Sequence, residues 1–256
     1  MSRRAPFLER RLAGLCGRAV HGWRMLAHGD RVAVGLSGGK DSLSLLWLLQ
    51  QRRRRVPIDY ELVALHIEMG YRRVNHAALR RFCRSLGVEL VVVETDYGPR
   101  AHTAENREKS PCFFCAMHRR RELFQLAAAR GCNKLALAHH QDDIFETFLL
   151  NLFFAGSLST MLPVQPFFGG EITVIRPLAL IGAHQTHRFA RLKGFPVQPP
   201  CCPSAAEGRR AQVRRILSEM MRGNRKVRPS IWRAITHAGL PGLPTPPDLS
   251  PYPRGE

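Results

Sequence analysis

The chain has 256 residues, with 39 Lys and Arg against 20 Asp and Glu, a formal charge of +19. That length supports one large α/β domain with extensions, and there is no run of about 18 apolar residues to span a membrane. The basic N-terminus lacks the apolar stretch of a secretory signal, so a soluble, cytoplasmic protein is expected, and arginines gathered at 52–55, 119–121 and 209–228 favour a nucleic-acid partner.

The chain opens with a predicted basic helix over 8–27. A strand at 31–36 follows, then a helix at 41–53, a strand at 60–67, a helix at 75–86 and a strand at 88–94. After a polar loop come a helix at 114–130, a strand at 134–138 and a helix at 142–154. Further on, the pattern predicts a strand at 171–178, a short helix at 184–193 and an arginine-rich helix at 211–221. Short continuous apolar strands alternating with helices read as a Rossmann-like, doubly wound parallel sheet with ligands at the carboxyl ends of its strands. Four segments are expected: a basic helical extension (1–28), a nucleotide-binding catalytic domain (29–200), a cysteine-bearing and Arg-rich segment (201–238), and a proline-rich tail (239–256) with no packed core of its own.

Leu36, Ser37, Gly38, Gly39, Lys40, Asp41 and Ser42 connect the first strand to the next helix. A glycine-rich turn at a helix N-terminus leaves backbone N–H groups free for phosphate, and the helix dipole favours an anion there. The common phosphate loop needs a glycine five positions before its Gly-Lys pair and a Ser or Thr after the lysine, whereas those places hold Val34 and Asp41. Residues 37–42 instead match SGGxDS and resemble the PP-loop ATP pyrophosphatases, which split ATP into AMP and pyrophosphate. On that resemblance, Ser37 and Ser42 donate to phosphate oxygens, Lys40 supplies positive charge and Asp41 holds Mg2+.

A second cluster, His139-His140-Gln141-Asp142-Asp143 with Glu146 and Thr147, follows the strand at 134–138 and sits on the same sheet edge as the loop. It resembles the second PP-loop motif. The resemblance gives Asp143 a share of the Mg2+ and His140 a contact to phosphate or nucleotide. His66, at the end of the second strand, is a further nucleotide contact, although Glu68 stands where the family often carries an aspartate.

Seven cysteines and no secretory signal argue against a disulfide framework. Cys16, Cys83 and Cys132 read as small core residues. Cys112 and Cys115 lie three residues apart at a helix entrance, and the Cys201-Cys202 pair lies downstream. This pattern suits a shared metal or cluster, either structural zinc or a [4Fe-4S] cluster with one open iron.

The three elements in this order, with Arg119-Arg120 after the cysteine pair, resemble the tRNA 2-thiocytidine synthetase family of PP-loop enzymes over about residues 30–217. The resemblance implies ATP, Mg2+ and a [4Fe-4S] cluster on Cys112, Cys115 and Cys202, with Cys201 as the rival third ligand. It implies adenylation of a cytidine O2, at position 32 of tRNA, and its replacement by sulfur. Lys40, Asp41, Asp143, Arg119 and Arg120 would act on the phosphates. A sulfur donor such as a cysteine desulfurase and a homodimer also belong to that picture. The alternatives are another PP-loop thiolase or ligase with a zinc site, and an RNA-binding relative without catalysis.

Overall fold

In a computed structural model, residues 4–71, 74–106, 110–199, 202 and 208–249 are described. β1 (Asp30–Gly35) sits mid-sheet because Val32, Ala33 and Val34 are apolar on both faces and fully buried. It pairs in parallel with β2 (Tyr60–Glu68) on one side and β4 (Lys134–Ala136) on the other. β3 (Glu89–Glu94) and β6 (Ile172–Ile175) extend the parallel sheet, and the order is β3-β2-β1-β4-β6-β5. The order reverses between β1 and β4, the crevice where open α/β sheets place ligands.

The first helix, α1 (Arg4–Gly22), packs with α2 (Lys40–Arg53) and α7 (Ala183–Lys193) over one face, and α3 (His76–Leu86) joins that core through Leu79 and Cys83. The short α4 (Tyr97–Arg100) leads to α5 (Pro111–Ala129), which covers the other face through Leu123, Phe124 and Ala127. α6 (Gln141–Ala155), α8 (Arg209–Gly223) and α9 (Val227–His237) build a third apolar cluster around Phe145, Leu217 and Ile235. None of the helices is long and apolar enough to cross a membrane, among the described residues.

Five departures from the predicted elements stand out, besides the short α4 and smaller shifts of element ends. α1 ends at Gly22 rather than near 27, where an added Cβ would lie 2.5 Å from Pro247 Cβ. α5 begins at Pro111 rather than 114, because Ser110 Oγ accepts from Phe113 N and Pro111 suits a first helical turn. β5 (Val164–Phe167) was not predicted; it pairs antiparallel with β6 at the sheet edge, where Pro166 is tolerated. α9 was also missed, because Pro229 reads as a breaker although it sits in the first turn.

The fifth departure is the proline-rich segment. Residues 239–249, expected to lack a packed core, bury Leu243 and hydrogen-bond to the body through Trp23 Nε1 to Thr245 O and Asp248 N to Gly22 O.

Candidate active site

The β1–α2 loop turns at Gly38, whose φ of +80° lies in the left-handed region and whose added Cβ would stand 2.7 Å from Gln198 Cγ. Gln198 secures this close approach, donating from its backbone N to Gly38 O at 2.9 Å and accepting from Asn75 N at 2.8 Å. Within the loop, Ser42 Oγ donates to Gly39 O at 3.0 Å and lies 3.1 Å from Ser37 Oγ. Lys40 Nζ reaches Asp41 Oδ2 at 2.6 Å, and Thr186 Oγ1 donates to Asp41 Oδ1. The loop therefore presents a helix N-terminus, a lysine and a braced carboxylate to one recess.

Across the crevice, His140 caps α6 through a reciprocal box, with its Nδ1 accepting from Asp143 N and its backbone N donating to Asp143 Oδ2 at 2.9 Å. The His140 ring lies among three acids, 3.0 Å from Asp143 Oδ2, 3.9 Å from Asp142 Oδ2 and 4.0 Å from Asp41 Oδ2. Burial raises the Asp143 pKa, with Glu146 adding to the rise, against the lowering effect of His140 and Arg210. Asp142 lines the same recess but is already engaged: it pairs with Arg228 and accepts from Ala183 N at 2.7 Å, and these contacts overcome burial and hold its carboxyl below the usual range. A recess of about 380 Å³ joins Lys40, Asp41, His140 and Asp143 with Arg214 of α8. Its carboxylates are the oxygen donors a hard divalent cation takes.

A larger cavity of about 770 Å³ runs from Ser37, Gly39 and Lys40 past His66 and Glu68 to Tyr71, Arg119 and Cys202. Cys112 and Cys115 occupy the first turn of α5, three residues apart and hence on one helix face. Cys115 is half-buried, and its thiol pKa is raised by burial first and then by the neighbouring Cys202 and Cys112. Tyr71 Oη donates to Cys202 Sγ at 3.7 Å. Cys115 thus neighbours both Cys112 and Cys202, of the three Cys202 lines the cavity, and Cys201 lies outside the described residues. The sulfurs of Cys112, Cys115 and Cys202 do not all lie within 4.8 Å of one another.

The PP-loop domain family matches residues 9–216. The tRNA-cytidine(32) 2-sulfurtransferase of Citrifermentans bemidjiense is 38% identical over 229 residues, covering 89% of this chain and 90% of that protein. The enzyme of the same name from Geobacter sulfurreducens is 39% identical over 228 residues, covering 88% and 89%. The chain belongs to the tRNA-cytidine(32) 2-sulfurtransferase family of PP-loop proteins. In fold it is similar to the U34-tRNA thiolase NcsA from Methanococcus maripaludis with its [4Fe-4S] cluster, at TM-score 0.74 and 24% identity, over 90% of this chain and 78% of that one.

In this member of the 2-sulfurtransferase family, the structure brings together some of the expected residues and not others. Leu36, Ser37, Gly39 to Ser42, His66, His140, Asp143, Arg119 and Cys202 line two hollows that share Lys40, Asp41 and Arg214, whereas Gly38, Cys112 and Cys115 line neither. Arg120 instead borders a separate apolar hollow with Phe113, Phe124 and Phe168. Thr186, Gln198 and Tyr71 carried no signal, because each comes from an element whose motif content is low, and Arg214 was read with the arginines of 209–228 as a nucleic-acid contact. Arg176 was missed as well: it is buried, donates to Leu162 O, and reaches His139 Nδ1 at 3.4 Å. Burial and the surrounding arginines push His139 down to about 3, so that ring is neutral. Cys16, Cys83 and Cys132 are core residues, and burial pushes the first two up to about 12 and about 11.

Proposed function

We propose that this protein is an ATP-dependent tRNA sulfurtransferase that replaces O2 of cytidine 32 with sulfur, giving 2-thiocytidine. The observation that carries the reading is the single cavity with a phosphate-binding loop at one end and Cys202 beside Tyr71 and Arg119 at the other. A nucleotide held on the loop and a base entering from the thiol end would meet inside it.

The loop amides and the α2 N-terminus hold the triphosphate, and Lys40 offsets charge building on it in the transition state. Asp41, braced by Thr186, and Asp143, fixed by the α6 cap, supply oxygens for Mg2+. Cytidine O2 attacks the α-phosphorus of ATP and pyrophosphate leaves. A sulfur nucleophile from the donor then adds at C2, and the C2–O2 bond breaks with AMP carrying the oxygen away. Adenylation is needed because an unactivated carbonyl oxygen is a very poor leaving group. Arg119, on the cavity wall, adds a fixed positive charge to the same cavity. Cys112, Cys115 and Cys202 would hold a [4Fe-4S] cluster, which when bound offers an iron not ligated by protein as a place for sulfur. The target base lies in a single-stranded loop, where splaying it out costs little stacking.

The test is anaerobic purification followed by iron and sulfide analysis and a thiolation assay with ATP and tRNA. About four irons per chain, lost in Cys112→Ala, Cys115→Ala and Cys202→Ala together with 2-thiocytidine formation, are expected. Stoichiometric zinc with no reconstitutable cluster would overturn the reading.

A further inference from the structure

At the carboxyl end of β2, three ligand-type side chains converge outside the cysteine site. His66, Glu68 and His76 each offer an atom within 4.8 Å of the others, the one such group of His, Cys, Asp and Glu among the described residues. His66 is 2% exposed and Glu68 8%.

The local hydrogen bonding is that of a ligand set. Leu36 O lies 2.7 Å from His66 Nδ1 and can only accept, so the imidazole proton is on Nδ1 and the lone pair is on Nε2. A histidine whose other nitrogen is tied to a backbone carbonyl is the usual arrangement of a metal-bound imidazole. His66 Nε2 and Glu68 Oε1 are buried with no hydrogen-bond partner, and His76 Nε2 faces Glu68 Oε2. The His66 and His76 rings meet edge to face at 5.5 Å. A simple His76–Glu68 ion pair would leave both His66 Nε2 and Glu68 Oε1 unexplained.

We propose that His66, Glu68 and His76 form a site for one first-row divalent cation, with Zn2+ the best chemical match. Two imidazoles and one carboxylate are the donors of zinc sites that retain an open position, whereas Mg2+ and Ca2+ take oxygen. His66 and Glu68 line the large cavity, so the remaining position is available to water or to a nitrogen or oxygen donor of its occupant. None of the three is a proposed cluster ligand, so this site stands whether or not the chain thiolates tRNA.

The experiment uses the full chain purified anaerobically with its cluster and dialysed against Zn2+ alone. Bound zinc is counted, and zinc K-edge absorption reads its ligands. One zinc per chain is expected, with imidazole scattering and nitrogen or oxygen neighbours at about 2.0–2.1 Å. Glu68→Gln and His76→Asn should each weaken binding at least tenfold while iron content and far-UV circular dichroism stay unchanged. The exposed Glu61→Gln should bind as the parent does. If Glu68→Gln fails to fold, His76→Asn in the first turn of α3 carries the test. Sulfur neighbours at about 2.3 Å, affinity unchanged in both variants, or no stoichiometric zinc would each overturn the proposal.

Discussion

Arg214 forks onto Glu146, with Nε and Nη2 at 2.7 and 3.0 Å from the two carboxylate oxygens. The contact joins α8 to the middle of α6, and Arg210 adds a second cation 3.6 Å from the same carboxylate. Glu146 is almost wholly buried, whereas about half of the Arg214 side chain meets solvent. Two arginines of a basic helix are therefore committed to holding the active-site helix in place.

Arg214→Ala leaves a buried carboxylate with only a longer contact to Arg210. Breaking a fully buried pair costs about 3–5 kcal/mol, and the exposure of Arg214 discounts this to about 1–3 kcal/mol. Urea denaturation should show that loss, and Arg214→Lys should recover only part of it, since an ammonium cannot fork onto both oxygens.

Asp142 and Arg228 tie the start of α6 to α9, and the paired carboxyl titrates below its ordinary value. A depressed folded pKa contributes stability that is complete above the unfolded carboxylate pKa and is lost as pH falls through the folded one. The stability gap between the parent and Arg228→Ala should therefore be constant from about pH 5 to 7 and close progressively below about pH 4. Thermal melts across that range check it; a gap that widens in acid would contradict the assignment.

Gly38→Ala tests the loop. The substitution puts a side chain in the left-handed region and drives it into Gln198, whose contacts hold the loop against α3. A stability cost of about 1–2 kcal/mol is expected from the backbone alone. ATP affinity should fall at least tenfold in an equilibrium titration, because the loop amides lose their alignment. Gly87→Ala, also at positive φ but at the far end of α3 with open space around it, should lose stability without losing ATP affinity.

Much of this architecture was legible because the relevant signals are local. β1 is a continuous apolar run, and the phosphate loop is contiguous. What could not be read depends on distant partners. Pro166 and Pro229 argue against regular structure until the sheet edge and the first helical turn are known. Leu243 has no core to join until Trp232 and Phe145 are placed beside it. Gln198, Thr186 and Arg214 look like ordinary polar residues, and they become site residues only through contacts across 160, 145 and 68 positions to Gly38, Asp41 and Glu146. The arginine excess misled in part: Arg210, Arg214 and Arg228 face acids of α6.

That division among the arginines can be measured. Arg215 and Arg222 are exposed on α8 and make no ion pair among the described residues, so they are available to a phosphate backbone. Each phosphate contact contributes to the salt dependence of binding through released counterions, with a slope of about 0.7 to 0.9 per contact. Replacing both by Ala should reduce the slope of log affinity for tRNA against log salt by about 1.4 to 1.8 and leave the folded stability unchanged. Arg214→Ala should do the reverse, with a marked loss of stability and little change in the slope, because its charge is already matched by Glu146. If the two sets of variants change the slope equally, α8 does not sort its arginines in this way, and the whole helix would have to be assigned to tRNA.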